Sequence, residues 1–511
     1  MKPASGATIE VSGSSGGTVF QASGGTAIPN GSTFLFTSPV GGFVSGGLFD
    51  NVEVINPASV PGESNQHTIS STVNGTLTVT DGQVGIYGTN NNIVVGADGI
   101  FKPLDSCIIK GSITNTSGGT ASAPTSSFIT LGGSGAQHLA GPISLYAVTI
   151  NNTAAAPGDS SAVTTSGQLS VDYFANVLDG QFSPTTGDTF NALLVGPSGI
   201  LKPASGATIL VTGTLGSDIV SVQTGGTFTA NSSTFHITTP TPSFLSGAAF
   251  YNLYVASTAA VPGDSNMISL SSNAQVTNLL TLASGQLRPF GTVNDVVVEA
   301  GAILKPNGNL TISGDLVSSG TLTSNATTDR YIFNSGTLQN FTSYKPATLP
   351  RITIGAGTVL NENGAADSTS TQITNNGTLR RTRTATVGTV TGGLTGATLD
   401  VVALGTLGTV VIDRIASVPN AGPGHDTTAS WTFDVAGATG YSVGLTLPHS
   451  NATPGNAAVA RYLGTGTSWQ YAQSSFTATT VTLNGITSLS SVWAVADFTQ
   501  TSVPDWTTLN D

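Results

Sequence analysis

Three carboxylates that recur in one short motif are the side chains of this sequence with the clearest potential for chemistry. A Pro-Gly-acid-Ser motif places Glu63, Asp159 and Asp264 at equivalent positions of successive segments. A carboxylate beside a glycine turn could bind Ca²⁺ or meet a neighbouring subunit, but a calcium loop supplies several oxygen ligands within about a dozen residues. Each segment supplies one carboxylate, so we interpret the motif as a turn whose carboxylate caps its own backbone. Ca²⁺ is the alternative at these three positions, and we expect no other cofactor.

The residue types needed for catalysis do not form a pattern. A polysaccharide hydrolase or lyase needs paired or clustered carboxylates on one face, whereas the other acidic residues are scattered along the chain. No metal-ligand spacing links the five histidines, and no Ser/His/Asp order stands out among the many serines. The sequence therefore predicts a protein that is not an enzyme and has no catalytic residues. A carbohydrate-active β-helix enzyme is the second alternative.

The segments that position the carboxylates repeat at long range. A Lys-Pro pair begins at residues 2, 102, 202 and 305, which gives steps of 100, 100 and 103 residues. Ahead of each carboxylate motif lies a run of alternating apolar residues, such as Val148 and Ile150, which places them on one face of a strand. Gly-Thr-Leu triplets add a shorter rhythm of about 20 residues, the length of one coil of a β-solenoid.

These periods predict an all-β chain in two parts. Residues 1–380 are predicted to form a right-handed parallel β-solenoid (β-helix) of stacked ~20-residue coils, grouped in ~100-residue blocks. The predicted blocks lie near 1–99, 100–199, 200–302 and 303–380. Short strands separated by turn residues predict a C-terminal β-sandwich over 381–498. The last segment, 499–511, is predicted to be an extended tail.

Composition narrows the range of partners. Charged residues make up 8% of the chain and its formal net charge is -12, so no nucleic-acid partner is expected, because phosphate binding needs clustered Lys and Arg. The one basic cluster, Arg380 to Arg383, is interpreted as a solvated junction between domains, with a binding patch as the alternative. No stretch is long and apolar enough to span a membrane. The single cysteine, Cys107, is expected to be a small buried hydrophobe within a strand.

Two parts of the sequence resemble known proteins. The coil rhythm and Lys-Pro blocks of residues 1–380 resemble secreted bacterial β-helix proteins, a group that includes adhesin passengers and polysaccharide lyases. The segments around Trp431, Trp469 and Trp493 are similar to the β-sandwich module that follows repeats in large secreted surface proteins of gliding-type bacteria. The resemblance implies an extracellular or cell-surface location, with a surface or extracellular glycan as a candidate partner.

The first block begins in the middle of a repeat, from which we expect that residues upstream of Met1 have been removed. A solenoid that starts there presents unpaired strand edges, which need a cap or a partner. We therefore predict a structural surface protein that associates head-to-tail with itself into a filament or matrix. The alternative is an adhesin that uses the solenoid as a stalk and binds its ligand through the sandwich. The residues predicted to form the contact between copies are Met1, Lys2, Ile9, Trp493, Trp506 and Leu509.

Overall fold

The computed structural model confirms an all-β fold. It describes residues 1–13, 16–22, 28–56, 63–123, 126–154, 157–214, 218–259, 261–345, 348–364, 367–417, 425–449, 457–464 and 469–497. Strands account for 60% of the residues, and the described part of the chain contains no α-helix. The chain forms a parallel β-solenoid of about 17 turns, followed by antiparallel sheets. It divides into two compact units, Met1–Asn278 and Leu279–Asp511.

The strands of the first unit are short segments of the solenoid, apart from one long run in which successive segments are continuous. Its strands are β1 (Thr8–Val11), β2 (Thr18–Gln21), β3 (Thr33–Phe36), β4 (Gly42–Phe49), β5 (Asn51–Ile55), β6 (His67–Ile109), β7 (Ile113–Asn115), β8 (Thr120–Ser122), β9 (Phe128–Leu131), β10 (Gln137–Ala140), β11 (Ile143–Asn151), β12 (Val163–Ser166), β13 (Leu169–Ser183), β14 (Thr189–Phe190), β15 (Leu193–Leu201), β16 (Thr208–Val211), β17 (Asp218–Val222), β18 (Thr227–Phe228), β19 (Thr234–Ile237), β20 (Ser243–Ser246), β21 (Ala249–Ala256) and β22 (Ile268–Leu270). Strand β23 (Gln275–Ser284) contains the boundary between the two units.

The second unit begins with parallel strands and ends with antiparallel ones. Its strands are β24 (Gln286–Pro289), β25 (Gly291–Val298), β26 (Ile303–Leu304), β27 (Asn309–Ile312), β28 (Leu316–Ser318), β29 (Thr321–Leu322), β30 (Arg330–Phe333), β31 (Leu338–Ser343), β32 (Thr348–Leu349), β33 (Ile352–Ile354), β34 (Val359–Glu362), β35 (Thr369–Ser370), β36 (Ile373–Asn375), β37 (Thr378–Thr384), β38 (Gly388–Thr391), β39 (Thr398–Ala403), β40 (Thr409–Ile415), β41 (His425–Asp434), β42 (Ser442–Pro448), β43 (Ala457–Tyr462), β44 (Trp469–Ala472), β45 (Ser475–Phe476), β46 (Thr480–Ile486) and β47 (Val492–Asp497). Single turns of 3₁₀ helix lie at Glu63–Asn65, Asp159–Ser161, Asp264–Asn266 and Gly393–Thr395.

The alternation of apolar and polar residues forms the solenoid core, as the sequence predicts. Val148 and Ile150 of β11 are buried, while Thr149 between them is half-buried on the outer face. Successive side chains of a strand point to opposite faces, so each coil contributes an inward row of branched and aromatic residues. Small polar residues cover the outside, where like charges stacked about 4.8 Å apart would repel.

Coil lengths differ between the two units. In the first unit the register pairs Ile209 with Phe235 and Phe235 with Leu253, which are steps of 26 and 18 residues. In the second unit Tyr331 pairs with Ile352 and Ile352 with Ile373, both steps of 21 residues. The mean spacing of about 21 residues confirms the predicted coil size.

The change from parallel to antiparallel pairing takes place at one strand. Strand β37 pairs in parallel with β34 on one edge and antiparallel with β40 on the other. Beyond it, β40, β41, β47, β43 and β44 form one antiparallel sheet, and β38, β39, β42, β46 and β45 form a second. A buried cluster that includes Trp431, Leu445 and Trp493 draws residues from both sheets, which is consistent with a β-sandwich.

Candidate functional site

Each Pro-Gly-acid-Ser motif leads into a single turn of 3₁₀ helix that begins at the acidic residue, and the second motif has the most completely described contacts. Lys202 of the third Lys-Pro pair donates to both carboxylate oxygens of Asp159, each at 2.8 Å. The amide of Gln181 donates to the same carboxylate at 2.7 Å. The two motifs that repeat through the sequence therefore meet in space, although 43 residues separate Lys202 from Asp159.

This geometry corrects the turn interpretation for Asp159. The residue that precedes this 3₁₀ turn is Gly158, which has no side chain to cap it, and the Asp159 carboxylate reaches across the coils to Gln181 and Lys202. The hydrogen bond from Gln181, followed by the contact with Lys202, lowers the pKa of Asp159 below its usual value. Asp264 begins the equivalent helix of the third motif, and the side chain of Glu63 lies outside the described part of the structure.

These contacts bear on the Ca²⁺ alternative. Within the described residues no group of three or more His, Cys, Asp or Glu side chains is close enough together to hold a metal ion. At Asp159 a cation would have to displace the Lys202 ammonium from both carboxylate oxygens. Asp159 already has a charge partner in Lys202, so the carboxylate forms an ion pair that links coils on the outer face.

The residues predicted to contact another copy lie in different environments. Met1 and Lys2 are exposed and Ile9 is half-buried. The structure corrects the role of Trp493: only 1% of it is exposed, it packs in the sandwich core, and its indole N–H donates to the carbonyl oxygen of Leu489 at 3.2 Å. It is therefore a core residue rather than a contact residue. Trp506 and Leu509 lie outside the described residues.

The first coil differs from its near-copy in the strands that are described beside it. Strand β1 pairs with β3 and, among the described residues, with no other strand. Its near-copy β16 is covered on both sides, by β14 and by β19. Ile9 lies beside Phe34 as Ile209 lies beside Phe235, yet Ile209 is fully buried and Ile9 is not. The same contrast holds for Val11, which is half-buried, and Val211, which is buried.

A groove of about 560 Å³ runs over the outer face of the first unit. The parallel register aligns Asn176, Leu194 and Ser221 from three successive coils, and these residues form its floor. Asp218 and Gln223, both exposed, lie along it. The ring of Phe244 is 47% exposed and pairs in register with Asp218. Only one of the lining residues that the structure describes is charged, so these residues do not form the paired carboxylates of a glycosidase.

Four aromatic residues cluster on the outer face beside this groove: Phe128, Tyr146, Tyr173 and Phe174. The rings of Tyr146 and Tyr173 are stacked, with centroids 5.1 Å apart and an interplanar angle of 7°. Phe128 meets Tyr146 edge-on, and Phe174 contacts Tyr173. They surround the buried Ala147, where β11 and β13 are out of register by a bulge. Since the rings contact one another, the cluster acts as an exterior packing element that joins three coils.

The middle arginine of the basic cluster is internal, which corrects the expectation that the whole cluster is solvated, while Arg380 and Arg383 are partly exposed. Arg381 is fully buried, and it donates to the carbonyl oxygens of Glu362 and Gly364, each at 2.7 Å. Arg380 forms two hydrogen bonds with Asp413, at 2.8 and 2.7 Å. Arg383 contacts Asp367. All three arginines hold elements around the strand where parallel pairing ends, so they do not form an open anion-binding patch.

The carboxylate of Glu362 completes this charged cluster. It is 1% exposed, lies 3.8 Å from the Arg381 guanidinium, and accepts backbone N–H groups of Ser368 at 2.8 Å and Leu394 at 2.9 Å. Burial raises the pKa of Glu362, against the opposing effects of these hydrogen bonds and of Arg381. No signal in the local sequence distinguishes Arg381 from its exposed neighbours, except its place on the inward side of the alternating strand.

A second groove of about 560 Å³ lies in the C-terminal sheets, where the adhesin alternative places a ligand. Arg461, Tyr462 and Leu463 line one side and Ser490 and Ser491 another. The guanidinium of Arg461 donates to the hydroxyl of Ser491 at 3.1 Å and lies over the ring of Trp493, 5.8 Å from its centroid. The arginine therefore braces the groove wall against the sandwich core.

The lone cysteine has the environment predicted for it. Cys107 is buried, and burial raises the pKa of its thiol to about 12. A thiol with so high a pKa carries almost no thiolate at neutral pH and is a poor nucleophile. The prediction of a small buried hydrophobe is confirmed.

The fold and these surfaces define a parallel β-solenoid with antiparallel sheets after it. No protein-family profile, curated protein or solved structure matches the chain. No helix among the described residues is both long and apolar enough to cross a membrane. The functional interpretation therefore depends on the surfaces themselves.

Proposed function

We propose that this protein is a structural component of an extracellular or cell-surface assembly, which associates head-to-tail with further copies of itself through its first coil and its C-terminal sheets. The observation that carries the proposal is the difference between two near-identical strands. Ile209 and Val211 of β16 are buried beneath the coil that contains β14, whereas Ile9 and Val11 of β1 are half-buried. A strand paired along β1 would bury Ile9 and Val11 and would add strand hydrogen bonds.

The chemistry of this edge favours a β-strand of another copy as its partner. The inward apolar residues of β1 belong to the kind of surface on which the chain's own coils stack. In such a contact, β44 of the C-terminal sheets, which pairs with β43, would lie beside β1 of the next copy. A contact between two different ends does not close on itself and produces a filament.

A contact between two first coils is less favourable. It would bring the Glu10 carboxylates of two copies to one seam, and like charges across adjacent strands are destabilising. Such a contact is isologous and closes as a dimer. The extracellular location in the proposal rests on the resemblance of the coil rhythm to secreted bacterial β-helix proteins and on the low proportion of charged residues.

The test is a concentration series of the 511-residue chain by sedimentation velocity and electron microscopy. We expect filaments that lengthen with concentration, and we expect the Ile9→Lys/Val11→Lys double variant to remain monomeric because it places two charges in the edge. Ile108→Lys is the matched control, since Ile108 is an exposed apolar residue on an interior coil. Monomers at every concentration, closed dimers, or unchanged filaments in the double variant would overturn the proposal. Monomers that bind a ligand through the C-terminal groove would favour the adhesin alternative.

A further inference from the structure

We propose that the groove formed by Asn176, Leu194, Ser221, Asp218, Gln223 and Phe244 binds a neutral oligosaccharide. It lies on the outer face of the first unit and shares no residue with β1. Its volume of about 560 Å³ falls within the range of about 300–1,000 Å³ that is usual for sites of small ligands. The inference goes beyond the proposed self-association and does not depend on it.

Phe244 is the apolar platform of this site. Its ring is 47% exposed and makes no ring contact with another described aromatic residue. This distinguishes it from the neighbouring cluster around Tyr146 and Tyr173, whose rings cover one another. The face of an aromatic ring carries partial negative charge and attracts polarised C–H groups. A pyranose ring with equatorial hydroxyls presents such C–H groups on a flat face, so it can stack on Phe244.

The polar residues of the groove supply the hydrogen bonds that a sugar needs. The side chains of Asn176, Asp218 and Gln223 make no hydrogen bond to other described residues. Two amides and a carboxylate together provide both donors and acceptors, which matches hydroxyl groups, since each hydroxyl donates one hydrogen bond and accepts others. The hydroxyl of Ser221 accepts a hydrogen bond from the hydroxyl of Ser246 at 3.0 Å. The hydroxyl proton of Ser221 therefore points away from Ser246.

The charge of the groove selects a neutral ligand. Asp218 is the one charged residue among the described residues that line it, so a uronate, sulfated or phosphorylated chain would meet a carboxylate without a compensating cation among them. The shape selects an elongated one. The floor residues come from three successive coils, which places them over about 10 Å along the stacking direction.

The experiment is a calorimetric titration of the full chain with cellohexaose, mannohexaose and fully N-acetylated chitohexaose, and with a hexamer of galacturonic acid. We expect saturable binding of at least one neutral probe and none of the galacturonic acid hexamer. Phe244→Ala and Asp218→Asn should each weaken that binding about tenfold or more, a loss in line with removal of one stacking or charged hydrogen-bonding partner. Phe43→Ala, which removes another exposed phenylalanine of the first unit, should change affinity less than about twofold.

Three results would overturn the proposal: no saturable binding of any neutral probe, binding of the galacturonic acid hexamer as strong as that of the neutral probe, or unchanged affinity in both groove variants. Phe244 and Asp218 are exposed, so thermal melting followed by circular dichroism should match the parent chain and confirm that the variants fold. The Ile9→Lys/Val11→Lys double variant should retain the sugar affinity, which separates failure of this site from failure of self-association.

Discussion

Removal of the buried Arg381 guanidinium should destabilise the second unit far more than removal of its neighbour Arg380. Arg381 is 0% exposed and Glu362 is 1% exposed. The Arg381→Met variant loses hydrogen bonds of 2.7 Å to two carbonyl oxygens and leaves the Glu362 carboxylate with backbone donors alone. Breaking a buried pair by removing one partner costs about 3–5 kcal/mol. Arg380→Met breaks a partly exposed pair with Asp413, for which about 1 kcal/mol or less is expected.

The pH dependence of this effect follows from Glu362. Its pKa is raised by burial, so between the unfolded value of about 4.3 and the higher folded value, the folded state binds a proton that the unfolded state does not. Stability contributed by this group is therefore greatest at low pH and falls as pH rises through that window. Loss of Arg381 raises the pKa of Glu362 in the folded state further. At a pH above that pKa, each additional pKa unit lowers the free energy of unfolding by about 1.4 kcal/mol. We expect Arg381→Met to be less destabilising at pH 4.5 than at pH 8.

The assay is denaturant unfolding followed by tryptophan fluorescence at both pH values. All four tryptophans of the chain lie between residues 431 and 506, so the signal reports on the C-terminal region. The double variant Arg381→Met/Glu362→Gln should recover a large part of the loss at pH 8, because it removes the unpaired charge. Equal destabilisation by Arg381→Met and Arg380→Met, or a loss that does not depend on pH, would refute the reasoning.

Three further predictions concern the first unit. Ile209→Ala should lower the free energy of unfolding by about 2–5 kcal/mol because Ile209 is fully buried. Ile9→Ala, at the half-buried equivalent position, should cost about 1 kcal/mol or less in a dilute sample. Calorimetric melting compares the two variants, and equal losses would contradict the difference in burial. Gly141→Ala should destabilise by more than about 1 kcal/mol, because Gly141 has a φ of +82° and an added Cβ would overlap the carbonyl oxygen of Asn115; an unchanged melting temperature would contradict this. Cys107 should resist a thiol reagent at pH 8 until the chain is unfolded, because burial raises its pKa to about 12, and rapid labelling of the folded chain would contradict its placement in the core.

Much of the solenoid follows from neighbouring residues. The alternation around Val148 and Ile150 is sufficient to predict which side chains face inward, because side chains of a strand alternate between its two faces. The repeated Lys-Pro pairs and Gly-Thr-Leu triplets predict stacked coils of nearly the observed length. Cys107 could be assigned to the core for the same reason, since it precedes Ile108 and Ile109 in an alternating strand.

The sites depend on which residues of different coils lie side by side, and the sequence does not specify this. Asp159 meets Lys202 across 43 residues, and Asn176, Leu194 and Ser221 align through steps of 18 and 27 residues. A coil that gains or loses a residue shifts the register of its outward face, so an average period cannot identify such neighbours. The sequence predicts exposed positions for Arg381 and Trp493, which are buried, and the prediction is wrong for a related reason. A charged side chain or an indole in an alternating strand is compatible with either face until tertiary packing supplies a partner for its polar group. That partner is the cluster around Glu362 for Arg381 and the carbonyl oxygen of Leu489 for Trp493.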